Sequence, residues 1–334
     1  MNMLNTSIKI GDLELKNRLV MPPMATSKAN ESGEVTEQIC DYYNEKSAGG
    51  YIGLIITEHS YVAKEGQAGK GQMSIAKDSD VEGLKRLTDI IHNNGSKVFA
   101  QISHAGGAAN PQTTGFSAAL SASAVKVARF PTIPEEMTLQ DIKKVINDFT
   151  AAAIRAKNAG FDGVEIHSAH GYLLNQFYTP LTNKRTDEYV SSNMNNRLRL
   201  HLEIIKSVRK VVGKEYPIAL RLGACDYMDG GSTIEDGVEA AKILAEAKID
   251  LLDISGGFCG YVRPQANNQG YFQELTIAIK KVVNIPVILT GGITDSIAAE
   301  ELLQDNKADM IGVGRAILKD SSWAKEAITS SMNI

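Results

Sequence analysis

Residues 161–177 read Phe161-Asp-Gly-Val-Glu-Ile-His167-Ser-Ala-His170-Gly-Tyr172-Leu-Leu-Asn-Gln-Phe177. The apolar run at 164–166, which follows a glycine-containing turn, predicts a short buried strand. Two histidines and a tyrosine come directly after that strand. Several polar side chains at the carboxyl end of a buried strand are typical of the active site of an α/β barrel. Because two imidazoles and a phenol can bind an anionic oxygen and supply a proton, the stretch predicts a site as well as a strand.

Two other interpretations of these side chains were weighed against a catalytic site. A single histidine near a strand end is most often structural, but the cluster of His167, His170 and Tyr172 favours a site. A zinc ion would need a third or fourth ligand, and no glutamate lies between the histidines as in a His-Glu-x-x-His helix. The sequence therefore predicts no metal.

The rest of the chain alternates apolar runs with amphipathic segments. Strands are predicted at 19–24, 52–57, 97–102, 164–166, 218–222, 251–254, 286–289 and 310–313. Helices are predicted at 36–48, 80–94, 139–159, 195–212, 234–247, 272–283, 296–304 and from about 322. This regular alternation favours a (β/α)8 barrel over an open doubly wound sheet, in a single domain spanning 1–334. Residues 7–20 predict a β-hairpin at one end of the barrel, and residues 103–136, after strand three, predict a lid or a wall of the pocket.

Composition excludes several classes of partner. The chain has 334 residues, 43% hydrophobic and 22% charged, with a formal net charge of -4, so no basic patch suggests nucleic acid. No apolar run reaches the length of a membrane span, and the start resembles no secretory signal. Three dispersed cysteines, Cys40, Cys225 and Cys259, argue against disulfides or an iron–sulfur cluster and predict a reducing, cytoplasmic location.

Glycines follow the last predicted strands. Gly291 and Gly292 come after strand seven, and Gly314 and Arg315 after strand eight. Glycine lets backbone N–H groups approach an anion closely, and barrel phosphate sites are often built from these two loops. The pattern predicts a phosphate-binding site, although the same glycines could serve only to make tight turns.

Isolated polar residues inside apolar strands need partners. Arg221 lies within strand five, and Glu165 in strand four is its candidate ion-pair partner if it does not face a ligand. Gln101 ends strand three and offers both a donor and an acceptor to the edge of a heterocycle. His92 and His201 lie on predicted helices and are expected at the surface.

Taken together, these motifs resemble the Old Yellow Enzyme family of FMN-dependent ene-reductases over nearly the whole chain. The resemblance is carried by Lys16-Asn-Arg-Leu-Val-Met-Pro-Pro-Met24, Gln101-Ile-Ser-His104-Ala-Gly, the stretch from His167 to Phe177, Arg221-Leu, Ser255-Gly-Gly, Thr290-Gly-Gly and Gly312-Val-Gly-Arg315.

The resemblance implies tightly bound FMN, with NADPH or NADH as reductant. Pro23, Met24 and Ala25 would lie along the flavin ring, Gln101 at its pyrimidine edge, Arg221 near N1 and O2, and Gly291, Gly292, Gly314 and Arg315 around the phosphate. His167 and His170 would hydrogen-bond a carbonyl or nitro oxygen of a small α,β-unsaturated substrate, and Tyr172 would protonate the carbon. A homo-oligomer is compatible with the sequence.

The chain departs from the family pattern in four places. Ala25 stands where relatives often have Thr or Cys, which predicts a lower flavin potential. Lys28 lies near the position of a pocket tyrosine in one subfamily and is a candidate substrate contact. Residues 330–334 contain no arginine for a neighbouring subunit. The chain also ends after the barrel without the cysteine cluster and second nucleotide domain of long relatives, so their electron route is expected to be absent.

Two other functions compete with the ene-reductase. One is a phosphate-ligand aldolase or isomerase on the same barrel, which the absence of a lysine at Ile254-Ser255-Gly256 disfavours. The other is a flavin-binding protein without catalysis, which the intact cluster of His167, His170 and Tyr172 disfavours.

Overall fold

Eight parallel strands form a closed barrel in the computed structural model, which describes residues 3–330. The strands within residues 3–330 are β1 Ile8–Ile10, β2 Leu13–Leu15, β3 Leu19–Met21, β4 Leu54–Ile56, β5 Ser60–Tyr61, β6 Lys97–Ser103, β7 Leu120–Ser121, β8 Glu135–Glu136, β9 Gly163–Ser168, β10 Ile218–Cys225, β11 Leu251–Gly256, β12 Val287–Thr290 and β13 Met310–Gly312. The barrel runs β3, β4, β6, β9, β10, β11, β12 and β13, and β13 pairs with β3 to close it. The predicted (β/α)8 barrel is confirmed.

Helices cover the outside of the barrel. They are α1 Glu37–Ser47, α2 Asp80–Asn93, α3 Pro111–Thr114, α4 Leu139–Asn158, α5 Leu173–Tyr178, α6 Met194–Arg197, α7 Arg199–Val212, α8 Ile234–Glu246, α9 Gln273–Ile279, α10 Ser296–Gln304, α11 Arg315–Lys319 and α12 Trp323–Ser330. The predicted helices are present, although the one expected at 272–283 is shorter and the one at 195–212 is divided. Among the helices of residues 3–330, none combines the length and apolar character needed to cross a bilayer.

Local sequence signals set several helix ends. Thr138 caps α4 by accepting a hydrogen bond from the Asp141 amide at 3.2 Å. The Asp141 carboxylate accepts one in return from the Thr138 amide at 2.8 Å. This reciprocal capping box satisfies two amides that the helix itself leaves unpaired, which is why the start of α4 could be predicted.

The hairpin β1–β2 closes the amino-terminal end of the barrel. Ile10 and Leu15 are buried in one apolar cluster with residues at the starts of the barrel strands, such as Leu54, Leu251 and Met310. The predicted hairpin is confirmed, and it leaves the opposite, carboxyl end of the strands for the site.

The insertion after β6 folds over that carboxyl end. It holds α3 and the short parallel pair β7–β8. Buried Arg185 donates hydrogen bonds to the carbonyls of Ala122 and Met137, at 3.0 and 2.7 Å, and so fastens the base of the insertion. The sequence also led us to expect no arginine from residues 330–334 in a neighbouring subunit. These residues lie outside the described part of the chain, apart from the backbone of residue 330.

Candidate active site

A cavity of about 450 Å3 opens at the carboxyl end of the barrel. Its lining includes these predicted site residues: Pro23, Met24, Ala25, Gln101, His167, His170, Tyr172, Arg221, Gly291, Gly292, Gly314 and Arg315. Lys28 is exposed and does not line the cavity, so the structure does not bring this predicted substrate contact to the others. The volume lies within the range of small-molecule and cofactor sites.

The two histidines and the tyrosine face one another in the cavity. The His167 ring centroid lies 5.3 Å from that of His170 and 5.2 Å from that of Tyr172, with both pairs edge-to-face. His59 joins the cluster from the loop after β4, with its ring 5.5 Å from Tyr172. The predicted cluster is therefore one group of side chains on one wall.

The rest of the 161–177 stretch holds this cluster in place. His170 and Gly171 both adopt positive φ, 58° and 72°, in the tight turn after β9. The Asn175 side chain accepts a hydrogen bond from the Gly171 amide at 2.7 Å, and Gln176 donates one to the Gly171 carbonyl at 2.8 Å. A left-handed non-glycine residue costs free energy and persists only where its surroundings fix it, as Asn175 and Gln176 do here.

Burial keeps the three cavity histidines uncharged. Desolvation lowers the pKa of His59 to about 4 and the pKa values of His167 and His170 well below their usual value. The nearby Arg221 guanidinium acts in the same direction on all three. Burial also raises the pKa of the Tyr172 phenol, so this group is a protonated hydrogen-bond donor at neutral pH.

Some buried polar atoms of the cavity residues have no hydrogen-bond partner among the described residues. His167 Nδ1 and Arg221 Nε are both buried without a hydrogen-bond partner among the described residues. His170 differs, because its Nε2 lies 2.8 Å from the Ser255 hydroxyl. Buried polar atoms are nearly always satisfied, so the orphaned atoms fit a site that a polar ligand completes.

Arg221 forms its ion pair with Asp253 and not with Glu165, the carboxylate that the sequence suggested. Its Nε lies 3.2 Å from Asp253 Oδ2, without hydrogen-bond geometry, because β10 sets Arg221 opposite Asp253 on β11. The candidate partner Glu165 instead accepts a hydrogen bond from Gln101 at 2.8 Å. The pairing of Arg221 with Glu165, one of two alternatives left open by the sequence, is not found among the described residues, since β9 places His167 beside Arg221.

The predicted phosphate site gathers at the ends of β12 and β13. Gly291 and Gly292 have φ of 145° and 68°, and a Cβ on either would lie within 2.8 Å of the Tyr271 ring. The Arg315 guanidinium is nearby and donates to the Tyr271 hydroxyl at 3.2 Å. Only glycine fits at positions 291 and 292. The backbone there carries no side chains and forms a cradle next to the Arg315 guanidinium.

Besides His59, sequence reasoning missed several residues that line the cavity, and three of them come from long loops. Arg129 comes from the insertion, and Tyr261 and Tyr271 come from the loop after β11. These loops lack the periodicity that locates strands, so no local signal placed their side chains.

One histidine prediction was wrong. His201 is fully buried rather than on the surface, and its Nε2 lies 2.7 Å from the Ser168 hydroxyl. Helix α7 turns this residue toward the barrel, where the hydroxyl satisfies one ring nitrogen. His92 is partly exposed and hydrogen-bonds Asp162 at 2.7 Å.

No metal cluster accompanies the cavity. Within residues 3–330, no group of three or more His, Cys, Asp or Glu side chains is arranged to hold an ion. The three cysteines are free thiols.

The features that a flavin mononucleotide requires are present in this cavity. A glycine cradle beside Arg315 can receive a phosphate, and the guanidinium of Arg221, which is paired with Asp253 through Nε, also lines the cavity. Pro23 and Gln101 line the same cavity. The donor set therefore fits FMN.

Comparison with known proteins agrees with this fit. The family model of the NADH:flavin oxidoreductase / NADH oxidase family matches residues 4–331. An NADH oxidase of Thermoanaerobacter brockii is 40% identical over 330 residues, which are 97% of this chain and 50% of that protein. The chain thus spans about half the length of this curated relative.

Two solved structures share the fold. A 2-naphthoyl-CoA reductase in complex with 2-naphthoyl-CoA superposes with a TM-score of 0.90 at 28% identity, over 98% of this chain and 52% of that one. An Old Yellow Enzyme homologue from Zymomonas mobilis superposes with a TM-score of 0.84 at 26% identity, over 98% of this chain and 92% of that one. The chain therefore belongs to the NADH:flavin oxidoreductase / NADH oxidase family.

Proposed function

We propose that this protein is an ene-reductase that reduces activated C=C bonds of α,β-unsaturated carbonyl or nitro compounds. The observation that carries the proposal is the buried, unpaired Nδ1 of His167, which lies in a cluster with His170 and the protonated phenol of Tyr172. That arrangement offers hydrogen bonds to an oxygen and a proton to a neighbouring atom.

Other residues of the same cavity would hold the cofactor. FMN, when bound, would supply the hydride that it receives from NADH or NADPH. Gly291, Gly292, Gly314 and Arg315 would hold its phosphate, and Pro23, Met24 and Ala25 would lie along its ring. Arg221 would face the edge of the heterocycle where negative charge collects on reduction, with Gln101 at the pyrimidine edge.

His167 and His170 would orient the substrate by its carbonyl or nitro oxygen. Each neutral imidazole has one N–H to donate, and each ring is held by its neighbours before the substrate arrives. Negative charge grows on the substrate oxygen as hydride reaches the β-carbon. Preorganised donors bind that oxygen more strongly in the transition state than in the ground state, which is how they accelerate the reaction.

Tyr172 would deliver the proton. Burial raises the pKa of its phenol, so the group keeps its proton until a carbon with carbanion character accepts it. The side chain follows the turn at His170 and Gly171, which places the phenol beside the ring of His167.

A second candidate function is oxidation of NADH by dioxygen. It is favoured by the 40% identity to a protein named NADH oxidase. The aldolase alternative is not favoured, because the described residues that line the cavity include no lysine for a Schiff base.

An absorbance spectrum of the purified protein tests the proposal first. A flavin spectrum should bleach with NADPH under argon and return when cyclohexenone is added. If the flavin spectrum returned on exposure to air but not on addition of the enone, the NADH oxidase function would be favoured instead. A protein that stays colourless after FMN is added would overturn both.

The variant Tyr172→Phe then isolates the proton step. Reduction of the flavin by NADPH should proceed as in the wild type, while reoxidation by the enone slows by about 10²- to 10⁴-fold, the usual contribution of a general acid. Stopped-flow absorbance measures both half-reactions separately. Reoxidation at the wild-type rate would remove Tyr172 from the mechanism.

A further inference from the structure

The cavity carries more positive charge than the proposed function uses. Three guanidinium groups line it, those of Arg129, Arg221 and Arg315, and the described lining residues include no aspartate or glutamate. The histidines beside them are neutral. Arg315 lies at the proposed phosphate cradle, and Arg221 pairs with Asp253 beneath the cavity floor. Arg129 has neither an anionic partner among the described residues nor a role in the proposed function.

Arg129 is held in a defined place rather than free in solvent. Its guanidinium packs directly over Gly171, where an added Cβ would lie 3.0 Å from Nη1. The same Nη1 donates to the Phe258 carbonyl at 3.1 Å, and the guanidinium lies 5.8 Å from the Phe258 ring centroid. These contacts fix Arg129 where the insertion meets the loop after β11, between the turn that carries His170 and the cavity mouth.

No carboxylate neutralises this cation. Within residues 3–330, no aspartate or glutamate lies within ion-pair distance of Arg129, whereas the buried arginines Arg185 and Arg197 have such partners. Arg129 lines the cavity and remains partly exposed to solvent. A guanidinium has five N–H donors, and the carbonyl of Phe258 takes one of them. Burial of part of the side chain lowers the pKa of Arg129, and Tyr172 and Cys259 only partly oppose this effect.

We propose that Arg129 determines specificity by binding an anionic oxygen, of a carboxylate or a phosphate, on the molecule that enters the cavity beside Tyr172. The planar guanidinium suits both groups, because it can donate two parallel hydrogen bonds to either. The inference deepens the proposed function, since it names an anionic group as a preferred feature of the substrate or of the nicotinamide reductant.

The first test measures binding to the FMN-loaded protein without turnover. Benzoate and benzamide have the same shape and differ in charge, so each is titrated while the flavin absorbance is followed. In the wild type, benzoate should bind more tightly than benzamide. Arg129→Gln should lower this preference by roughly tenfold or more, equivalent to about 1.4 kcal/mol. Lys126→Gln, a cation of the same insertion that does not line the cavity, should leave the preference unchanged.

Kinetics then identify the source of the anion. If the substrate carries it, Arg129→Gln should lower kcat/KM for a carboxylate-bearing enone relative to cyclohexenone. If the reductant carries it, the apparent Kd for NADPH in flavin reduction should rise instead. The inference is overturned if the wild type does not prefer benzoate to benzamide. It is also overturned if Arg129→Gln prefers benzoate as strongly as the wild type does. Wild-type turnover of cyclohexenone tests the proposed function separately, so the two can fail independently.

Discussion

Replacing Glu165 with glutamine should change how the stability of this protein depends on pH. Glu165 is fully buried inside the barrel, and its Oε2 has no hydrogen-bond partner among the described residues. Burial and, to a smaller extent, the Asp253 carboxylate together raise the pKa of its carboxyl group to about 8, although Arg221 and the hydrogen bond from Gln101 partly oppose them. The pKa of Glu165 is therefore high enough for the carboxyl group to keep its proton near neutral pH.

The sign of the effect follows from proton binding. Between the ordinary value of 4.5 and about 8, the folded state holds a proton on Glu165 that the unfolded chain has released. The free energy of unfolding therefore falls as pH rises through this window. The slope is at most about 1.4 kcal/mol per pH unit, so the contribution of Glu165 should fall by on the order of 2 kcal/mol between about pH 5.5 and about pH 7.5.

Urea unfolding followed by circular dichroism, with the same excess of FMN throughout, gives this quantity. The difference in unfolding free energy between wild type and Glu165→Gln should decline with pH and level off above about pH 8. Glutamine can still accept the hydrogen bond from Gln101, so the fold should persist. Glu14→Gln, at an exposed position on the β1–β2 hairpin, is the control and should run parallel to the wild type. Parallel curves for Glu165→Gln would refute the reasoning and show that Glu165 is ionised in the folded protein.

Two further variants probe the proposed cofactor site. Gly291→Ala should weaken FMN binding about tenfold or more, because φ is 145° there and a Cβ would lie 2.8 Å from the Tyr271 ring. The quenching of FMN fluorescence on binding measures the affinity of each variant for FMN. Gly213→Ala, also at positive φ but with nothing within 4 Å, controls for backbone strain, and equal affinities in both variants would contradict the cradle. Ala25→Thr adds a hydroxyl donor to the cavity wall and should raise the flavin midpoint potential, measured by equilibration with a reference dye. An unchanged or lower potential would remove Ala25 as a determinant.

The order of elements in this protein can be read from local patterns. Apolar runs predicted all eight barrel strands, because a strand buried on both faces needs consecutive apolar residues. The capping box at Thr138 and Asp141 located the start of α4, since both hydrogen bonds join residues three apart in the chain. Short elements such as α5 and α11 were missed, because one or two helical turns give no clear periodicity.

The sequence alone therefore determined the barrel, the cluster of His167, His170 and Tyr172, and the family. Each depends on neighbouring residues or on motifs in a fixed order along the chain. Tertiary structure decided which side chains meet across the barrel. Strand register brought Asp253 rather than Glu165 to Arg221, and the packing of the insertion carried Arg129 to the cavity. Such pairings depend on the relative shift of strands and the path of loops, which are settled only when distant segments pack together.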